Sequence, residues 1–127
     1  MRALVKAAAI AAALAAIGNV IVFYVATAIS GELRVLMPAE MSIEAVQAAG
    51  STLMFGILGS LVVGLIALRT ANPRRMWVNL TVIGLILYGI APFAAAGVTT
   101  AIWFNVMHIV AGVLIIPMVA KALPEIK

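Results

Sequence analysis

The sequence predicts an all-α, membrane-embedded four-helix bundle with an antiparallel, up-down topology. Its 127 residues are 66% hydrophobic and only 9% charged, whereas soluble domains are about 45–50% apolar and about 25% charged. Four apolar segments contain no Asp, Glu, Lys or Arg, and each reaches the roughly 20 residues that a helix needs to cross a bilayer. These segments lack the polar–apolar alternation of barrel strands, so we expect helices.

The four predicted spans belong to one integral membrane domain that covers residues 1–127. They are residues 7–29, 48–68, 76–96 and 99–120. Asn72-Pro73 separates the second span from the third, because this pair breaks a helix and starts a turn. The third connection, around Ala96-Gly97-Val98, is so short that the last two helices must form an antiparallel hairpin.

The first connection, residues 31–47, is the only long one and carries three of the four Glu residues of the chain. The stretch after Pro38 predicts a short interfacial helix. Proline suits the first turn of a helix, and acidic side chains are favourable near its positive N-terminal end.

The distribution of Lys and Arg predicts the orientation. One side of the bundle would hold Arg2, Lys6, Arg69, Arg74, Arg75, Lys121 and Lys127, and the other side only Arg34. Cytoplasmic segments carry an excess of Lys and Arg. We therefore expect a multi-pass protein of the cell inner (plasma) membrane, with both termini in the cytoplasm.

A cleaved signal peptide is the alternative interpretation of the N-terminus. Arg2 and Lys6 precede an alanine-rich stretch, and Ala26-Thr27-Ala28 resembles a cleavage site. The apolar run, residues 7–29, is longer than the roughly 7–15 apolar residues of a signal peptide. An uncleaved first span is therefore favoured over removal of residues 1–28.

Small residues in the first two spans predict close helix packing. Gly56, Ser60 and Gly64 follow one another at four-residue spacing, a pattern that lets two helix backbones approach closely. Packing within the bundle is the favoured interpretation and oligomerisation is the alternative. Trp77 and Trp103 lie near opposite ends of their spans and are expected to anchor at the membrane interfaces.

Four polar side chains are predicted to share one layer near the middle of the membrane: Asn19, Tyr88, Asn105 and His108. A rise of about 1.5 Å per residue places the first two roughly 18 Å from the inner edge and His108 roughly 14 Å from the outer edge. Intramembrane polar groups are functional candidates. The layer could line a pocket or simply fix helix register. We expect a neutral His108 that hydrogen-bonds to Asn19 or Tyr88 across the bundle.

The composition argues against several functions. The chain has no Cys and no Asp, its four Glu lie outside the spans, and its one His cannot hold a metal alone. The sequence shows no nucleophile–base pair at a recognisable spacing, so we expect no catalytic residues, no cofactor, no metal and no enzymatic activity. The basic residues form no patch with interleaved aromatics, so no nucleic-acid partner is expected.

The segment from Met107-His108 through Ile116-Pro117 resembles a known family, as does the order of elements around it. An outer loop with Pro38 and Ser42 precedes a Gly-rich second helix, and Pro73-Arg74-Arg75 lies in the inner connection. Over most of its length the chain resembles the DUF6069-like proteins, small bacterial four-helix membrane proteins of unknown function found mainly in actinobacteria. The resemblance implies the architecture and names no activity.

Two functions remain open from the sequence. The first is a structural or accessory membrane component, either a homo-oligomer or a subunit beside another membrane protein. The alternative is a small carrier or binder of an apolar or lipid-like molecule, which would use the mid-membrane polar layer. Proton-coupled export in the manner of small multidrug transporters is disfavoured, because those proteins need a carboxylate in the first helix and this chain offers only Asn19 there.

Overall fold

The computed structural model describes residues 1–36, 38–90 and 95–125. In these ranges the chain forms four α-helices, which confirms the predicted all-α four-helix fold. They are α1 (Arg2–Ser30), α2 (Ala45–Ala67), α3 (Pro73–Ile90) and α4 (Val98–Ala122), with the short strands β1 (Arg34–Val35) and β2 (Met41–Ser42) between α1 and α2.

Three of these described helices, α1, α2 and α4, are long and apolar enough to cross a membrane. The predicted spans 7–29 and 99–120 lie within α1 and α4, and the span 48–68 ends one residue beyond α2. The third helix is shorter in the described chain and begins with Arg74 and Arg75 in its first turn. The predicted span 76–96 includes residues 91–94, which lie outside the described residues.

Local sequence signals set the start of α2 and α3. Glu44 and Gln47 form a capping box at the start of α2, in which the Gln47 side chain accepts a hydrogen bond of 2.7 Å from the Glu44 N–H. At the start of α3 the Asn72 side chain accepts a hydrogen bond of 3.1 Å from the Arg75 N–H. Pro73 occupies the first helical position, where its missing N–H costs nothing.

The described helices run antiparallel to their sequence neighbours. Leu4 at the start of α1 lies against Gly64 near the end of α2, and Asn19 meets Thr52 near its beginning. The last two helices are related in the same way, since Trp77 contacts the carbonyl of Ile116. The first helix is central and packs mainly against α2 and α4, whereas α3 packs mainly against α4.

The bundle therefore has two distinct ends. At what we call the basic end, the beginning of α1, the α2–α3 connection and the end of α4 come together around Leu4, Trp77 and Leu123. Six of the eight Lys and Arg residues lie at this end: Arg2, Lys6, Arg69, Arg74, Arg75 and Lys121. The seventh residue assigned to this side, Lys127, lies outside the described residues. The opposite end, with β1 and β2, is called the hairpin end.

At the hairpin end the prediction of a short helix after Pro38 was wrong. β1 and β2 pair antiparallel, with Arg34 opposite Ser42. The N–H of Arg34 donates to Thr100 Oγ1 (3.3 Å), and its carbonyl accepts from the N–H of Ala96 (3.0 Å). These contacts with the start of α4 satisfy an extended backbone, and they outweigh the local preference for a helical turn.

At the basic end the prediction of an interfacial Trp77 was wrong. Its side chain is 1% exposed, and the indole Nε1–H donates to the carbonyl of Ile116 at 2.9 Å. The indole joins α3 to α4 because its single polar group finds a partner inside the bundle. Trp103 is only partly buried and donates to Ser30 Oγ at 2.9 Å, which joins α4 to the end of α1.

Arg74 fastens the start of α3 to the end of α4. Its Nε donates to the carbonyl of Ala120 at 3.0 Å, and Nη2 donates to the carbonyl of Leu123 at 3.4 Å. Arg74 also forms an ion pair with Glu125. The last carbonyls of a helix lack partners within it, so this guanidinium both satisfies them and closes the basic end.

Candidate functional site: a cleft beside α2, α3 and α4

A cleft of about 420 Å³ lies between α2, α3 and α4, where α2 and α3 separate. This volume is within the range of about 300–1,000 Å³ that is typical of small-molecule sites. Gly59 of α2 and Gly84 of α3 lie in its walls and are exposed, and a Cβ atom added at either would meet no described residue within 4 Å. The cleft is therefore open along the gap between these two helices.

The wall is mostly apolar, and its polar groups are uncharged. The polar side chains that line the cleft are Asn19, Ser51, Thr52, Ser60, Trp77, Thr81, Tyr88 and His108. Lys, Arg, Asp and Glu are absent from the described residues that line it. The described chain also contains no group of three or more His, Cys, Asp or Glu residues that could hold a metal ion. The cleft thus presents hydroxyl, amide and imidazole groups to an uncharged ligand.

Asn19 is 4% exposed and has an unpaired acceptor. Its Nδ2 donates to Thr52 Oγ1 at 2.9 Å, and that hydroxyl donates to the carbonyl of Ala48 at 2.7 Å. A hydroxyl has one hydrogen, so Thr52 must accept from Asn19, and this fixes which amide atom faces it. The Asn19 Oδ1 is left buried without a hydrogen-bond partner in the described chain.

Ser60 is a second buried polar group without a partner. It is 3% exposed, and its Oγ makes no hydrogen bond within the described residues. Ser60 follows Thr52 by eight residues on α2, so it lies about 12 Å closer to the basic end. The cleft wall therefore holds two unsatisfied polar groups at different depths, although buried groups of this kind are normally paired.

The small-residue stripe of α2 faces α1 of the same chain. A Cβ atom at Gly56 would lie 2.9 Å from the Cβ of Ala12, and one at Gly64 would lie 3.0 Å from Leu4 Cδ1. A side chain at Gly56 would therefore force the helices to shift, and one at Gly64 would require the Leu4 side chain to move. The sequence identified Ser60 as a packing residue of this stripe, and the structure places it in the cleft wall as well.

His108 and Tyr88 form a stacked pair in the cleft wall. Their ring centroids are 3.7 Å apart, with an interplanar angle of 17°. His108 Nδ1 lies 2.8 Å from the carbonyl oxygen of Phe104. A carbonyl only accepts, so Nδ1 carries the hydrogen, and in the neutral imidazole Nε2 is an acceptor. Within the described chain Nε2 has no hydrogen-bond partner.

The expected hydrogen bond from His108 to Asn19 or Tyr88 is not formed. Counting residues along each span predicts how deep a residue lies in the bundle. It does not predict the direction in which the side chain points from its helix. Asn19 faces α2 and bonds to Thr52, while His108 bonds to its own helix and stacks on Tyr88.

Asn105, the fourth residue of the predicted polar layer, is not in the cleft wall. Its Nδ2 donates to the carbonyl of Ala101 at 3.0 Å and to that of Gly89 at 3.4 Å, so it joins α4 to α3. The sequence analysis did not identify Thr52. The available signal was its position on the neighbouring helix at the same depth as Asn19. Gly59 and Gly84 were also missed, since the sequence carries no signal for them.

The family model described as a family of unknown function, DUF6069, matches residues 1–125. The chain belongs to the DUF6069 family. No curated protein and no solved structure matches the chain. The DUF6069 match includes all four described helices and every residue that lines the cleft. The DUF6069 family description assigns no activity to its members.

Proposed function

We propose that this protein is an integral membrane protein that binds or carries a small, largely apolar molecule in the cleft beside α2, α3 and α4. The observation that carries the proposal is the size and position of the cleft, about 420 Å³ and open between two helices. In a bilayer that opening faces the acyl chains, so a hydrophobic ligand can enter sideways without crossing water. The exposed Phe55 at the cleft provides an apolar rim.

We infer that α3 forms a fourth span and that the basic end lies in the cytoplasm. The six described Lys and Arg residues of that end contrast with Arg34 at the hairpin end, in accordance with the positive-inside rule. In this orientation both chain termini are cytoplasmic and the cleft lies within the hydrocarbon layer.

Cysteine substitutions test this orientation. Ser42→Cys at the hairpin end and Thr70→Cys at the basic end should react with a membrane-impermeant thiol reagent from opposite sides of the membrane. The chain has no cysteine of its own to obscure the result. Labelling of both positions from the same side would contradict the proposed four-span topology.

The structure favours ligand binding over a purely structural role. The small-residue stripe of α2 was the observation in favour of oligomerisation. This stripe packs against α1 of the same chain, so it does not support binding to a partner protein. Two unpaired polar groups in the cleft wall reduce stability, and a scaffold would gain from replacing them. A binding site has a reason to retain them.

Tryptophan fluorescence can test the proposal in the full-length protein. Trp77 lines the cleft and Trp103 does not, so Trp103→Phe leaves one tryptophan that reports on the site. A brominated long-chain alcohol should quench Trp77 saturably, because bromine quenches indole at short range. Gly59→Leu, which fills open space in the cleft, should abolish the saturable phase.

Gly50→Leu is the matched control. Gly50 lies on the same helix, is exposed and does not line the cleft, and a Cβ atom added there would meet no described residue within 4 Å. Both changes replace an exposed helical glycine by a better helix former, so both proteins should fold. Unsaturable quenching that is equal in all three proteins would show that the alcohol only enters the surrounding detergent.

A further inference from the structure

We propose that the cleft selects a neutral lipid-like molecule with a hydroxyl group, and that His108 Nε2 accepts the hydrogen bond from that hydroxyl. This inference rests on the proposed function and specifies its ligand class. It comes from the direction of the hydrogen bonds around the cleft, which determines whether a ligand must donate or accept.

The imidazole of His108 is held so that its Nε2 atom can accept a hydrogen bond. The Phe104 carbonyl takes the Nδ1 hydrogen, and the stack on Tyr88 fixes the plane of the ring. The side chain is exposed at the cleft, and Nε2 lacks a partner in the described chain. A ligand therefore meets a lone pair whose direction is already set, and it must supply the hydrogen.

Asn19 provides a second acceptor. Since Thr52 donates to Ala48, it can only accept from Asn19, which leaves Oδ1 as the unpaired atom. This oxygen is covered in the structure, so a ligand reaches it only after the side chain turns. The hydroxyls of Ser60 and Tyr88 can donate or accept and therefore do not oppose a donor. The two atoms of fixed polarity that lack any partner in the described wall, His108 Nε2 and Asn19 Oδ1, both require a donor.

Charge narrows the ligand class further. The described wall contains no Lys or Arg to pair with a carboxylate or phosphate, and no Asp or Glu to pair with an ammonium group. An unpaired charge is costly away from water. Ethers, esters and ketones are neutral but only accept, so they would leave both acceptors unsatisfied. A long-chain or polycyclic alcohol is uncharged and supplies the hydrogen that His108 Nε2 requires.

Three matched brominated probes test the inference in the Trp103→Phe protein: a long-chain alcohol, its methyl ether and the carboxylic acid of the same chain length. We expect saturable quenching of Trp77 by the alcohol at a Kd about three- to tenfold lower than that of the ether, the range of one neutral hydrogen bond. The acid should bind more weakly than the alcohol at neutral pH.

His108→Phe removes the acceptor and keeps a ring that can stack on Tyr88. In that variant the ratio of ether to alcohol Kd should fall about three- to tenfold below its value in the Trp103→Phe protein. Dividing the ratio of one protein by that of the other cancels the different partitioning of the probes into detergent. An unchanged ratio would overturn His108 as the acceptor. Equal, saturable binding of all three probes in the Trp103→Phe protein would overturn the ligand class and leave the proposed function intact. Failure of every probe to quench saturably would overturn both.

Discussion

The hydrogen bond between Asn19 and Thr52 leads to an unusual prediction about the free energy of unfolding. Asn19 Nδ2 donates to Thr52 Oγ1 at 2.9 Å, while Asn19 Oδ1 is buried without a partner among the described residues. Replacing Asn19 by Leu therefore removes one favourable hydrogen bond and one unfavourable buried acceptor. Replacing Thr52 by Val removes the bond and leaves both ends of the Asn19 amide unpaired.

The magnitudes follow from these two situations. Interhelical hydrogen bonds in membranes contribute about 0.6 kcal/mol on average and at most about 1.7 kcal/mol. A buried polar group left without a partner costs about 1–3 kcal/mol. We expect Thr52→Val to lower the free energy of unfolding by about 1–2 kcal/mol, and Asn19→Leu to leave it unchanged or raise it by up to about 1 kcal/mol. The double variant should match Asn19→Leu within about 0.5 kcal/mol.

Equilibrium unfolding in mixed detergent micelles, followed by circular dichroism, measures all four proteins of this cycle. The reasoning fails if Asn19→Leu is more destabilising than Thr52→Val, since Asn19 would then have further favourable contacts.

Two further predictions concern the contacts that hold the helices together. Gly56→Ala should lower the free energy of unfolding by about 1–3 kcal/mol, because its Cβ would lie 2.9 Å from that of Ala12. Gly50→Ala, at an open position, should be neutral or stabilise the protein by up to about 1 kcal/mol. Equal effects of the two substitutions would contradict the close approach of α1 and α2. Arg74→Ala should cost about 1–2 kcal/mol through its lost hydrogen bonds to the carbonyls of Ala120 and Leu123. Arg75 is exposed, and its side chain makes no hydrogen bond or ion pair in the described chain, so Arg75→Ala should change stability by less than about 0.5 kcal/mol in the same unfolding assay.

The sequence predicted the helices well because helix formation in this chain depends on local, additive properties. Runs of apolar residues, a capping box at Glu44 and a proline after Asn72 each act within a few positions. The hairpin after Pro38 could not be predicted in this way. Its extended backbone is satisfied by Ala96 and Thr100, which lie far away in the sequence.

The depth of the candidate site in the bundle could be predicted from the sequence, but the contacts within it could not. Counting residues along each span identified Asn19, Tyr88 and His108, which line the cleft, together with Asn105, which does not. Rotation about the helix axis decides which of these side chains meet, and it depends on packing between helices. The cleft itself arises where α2 and α3 fail to pack closely, and no single residue records such a gap.

Mass spectrometry of the molecules that remain bound after gentle purification tests the central claim most directly. The wild-type protein and Gly50→Leu should retain a neutral, hydroxyl-bearing lipid-like molecule at a higher proportion than the surrounding lipid contains. Gly84→Leu, which places a side chain in the open part of the cleft from α3, should lose it. If all three proteins retained the same lipids in the proportions of the surrounding membrane, the cleft would not be a specific binding site.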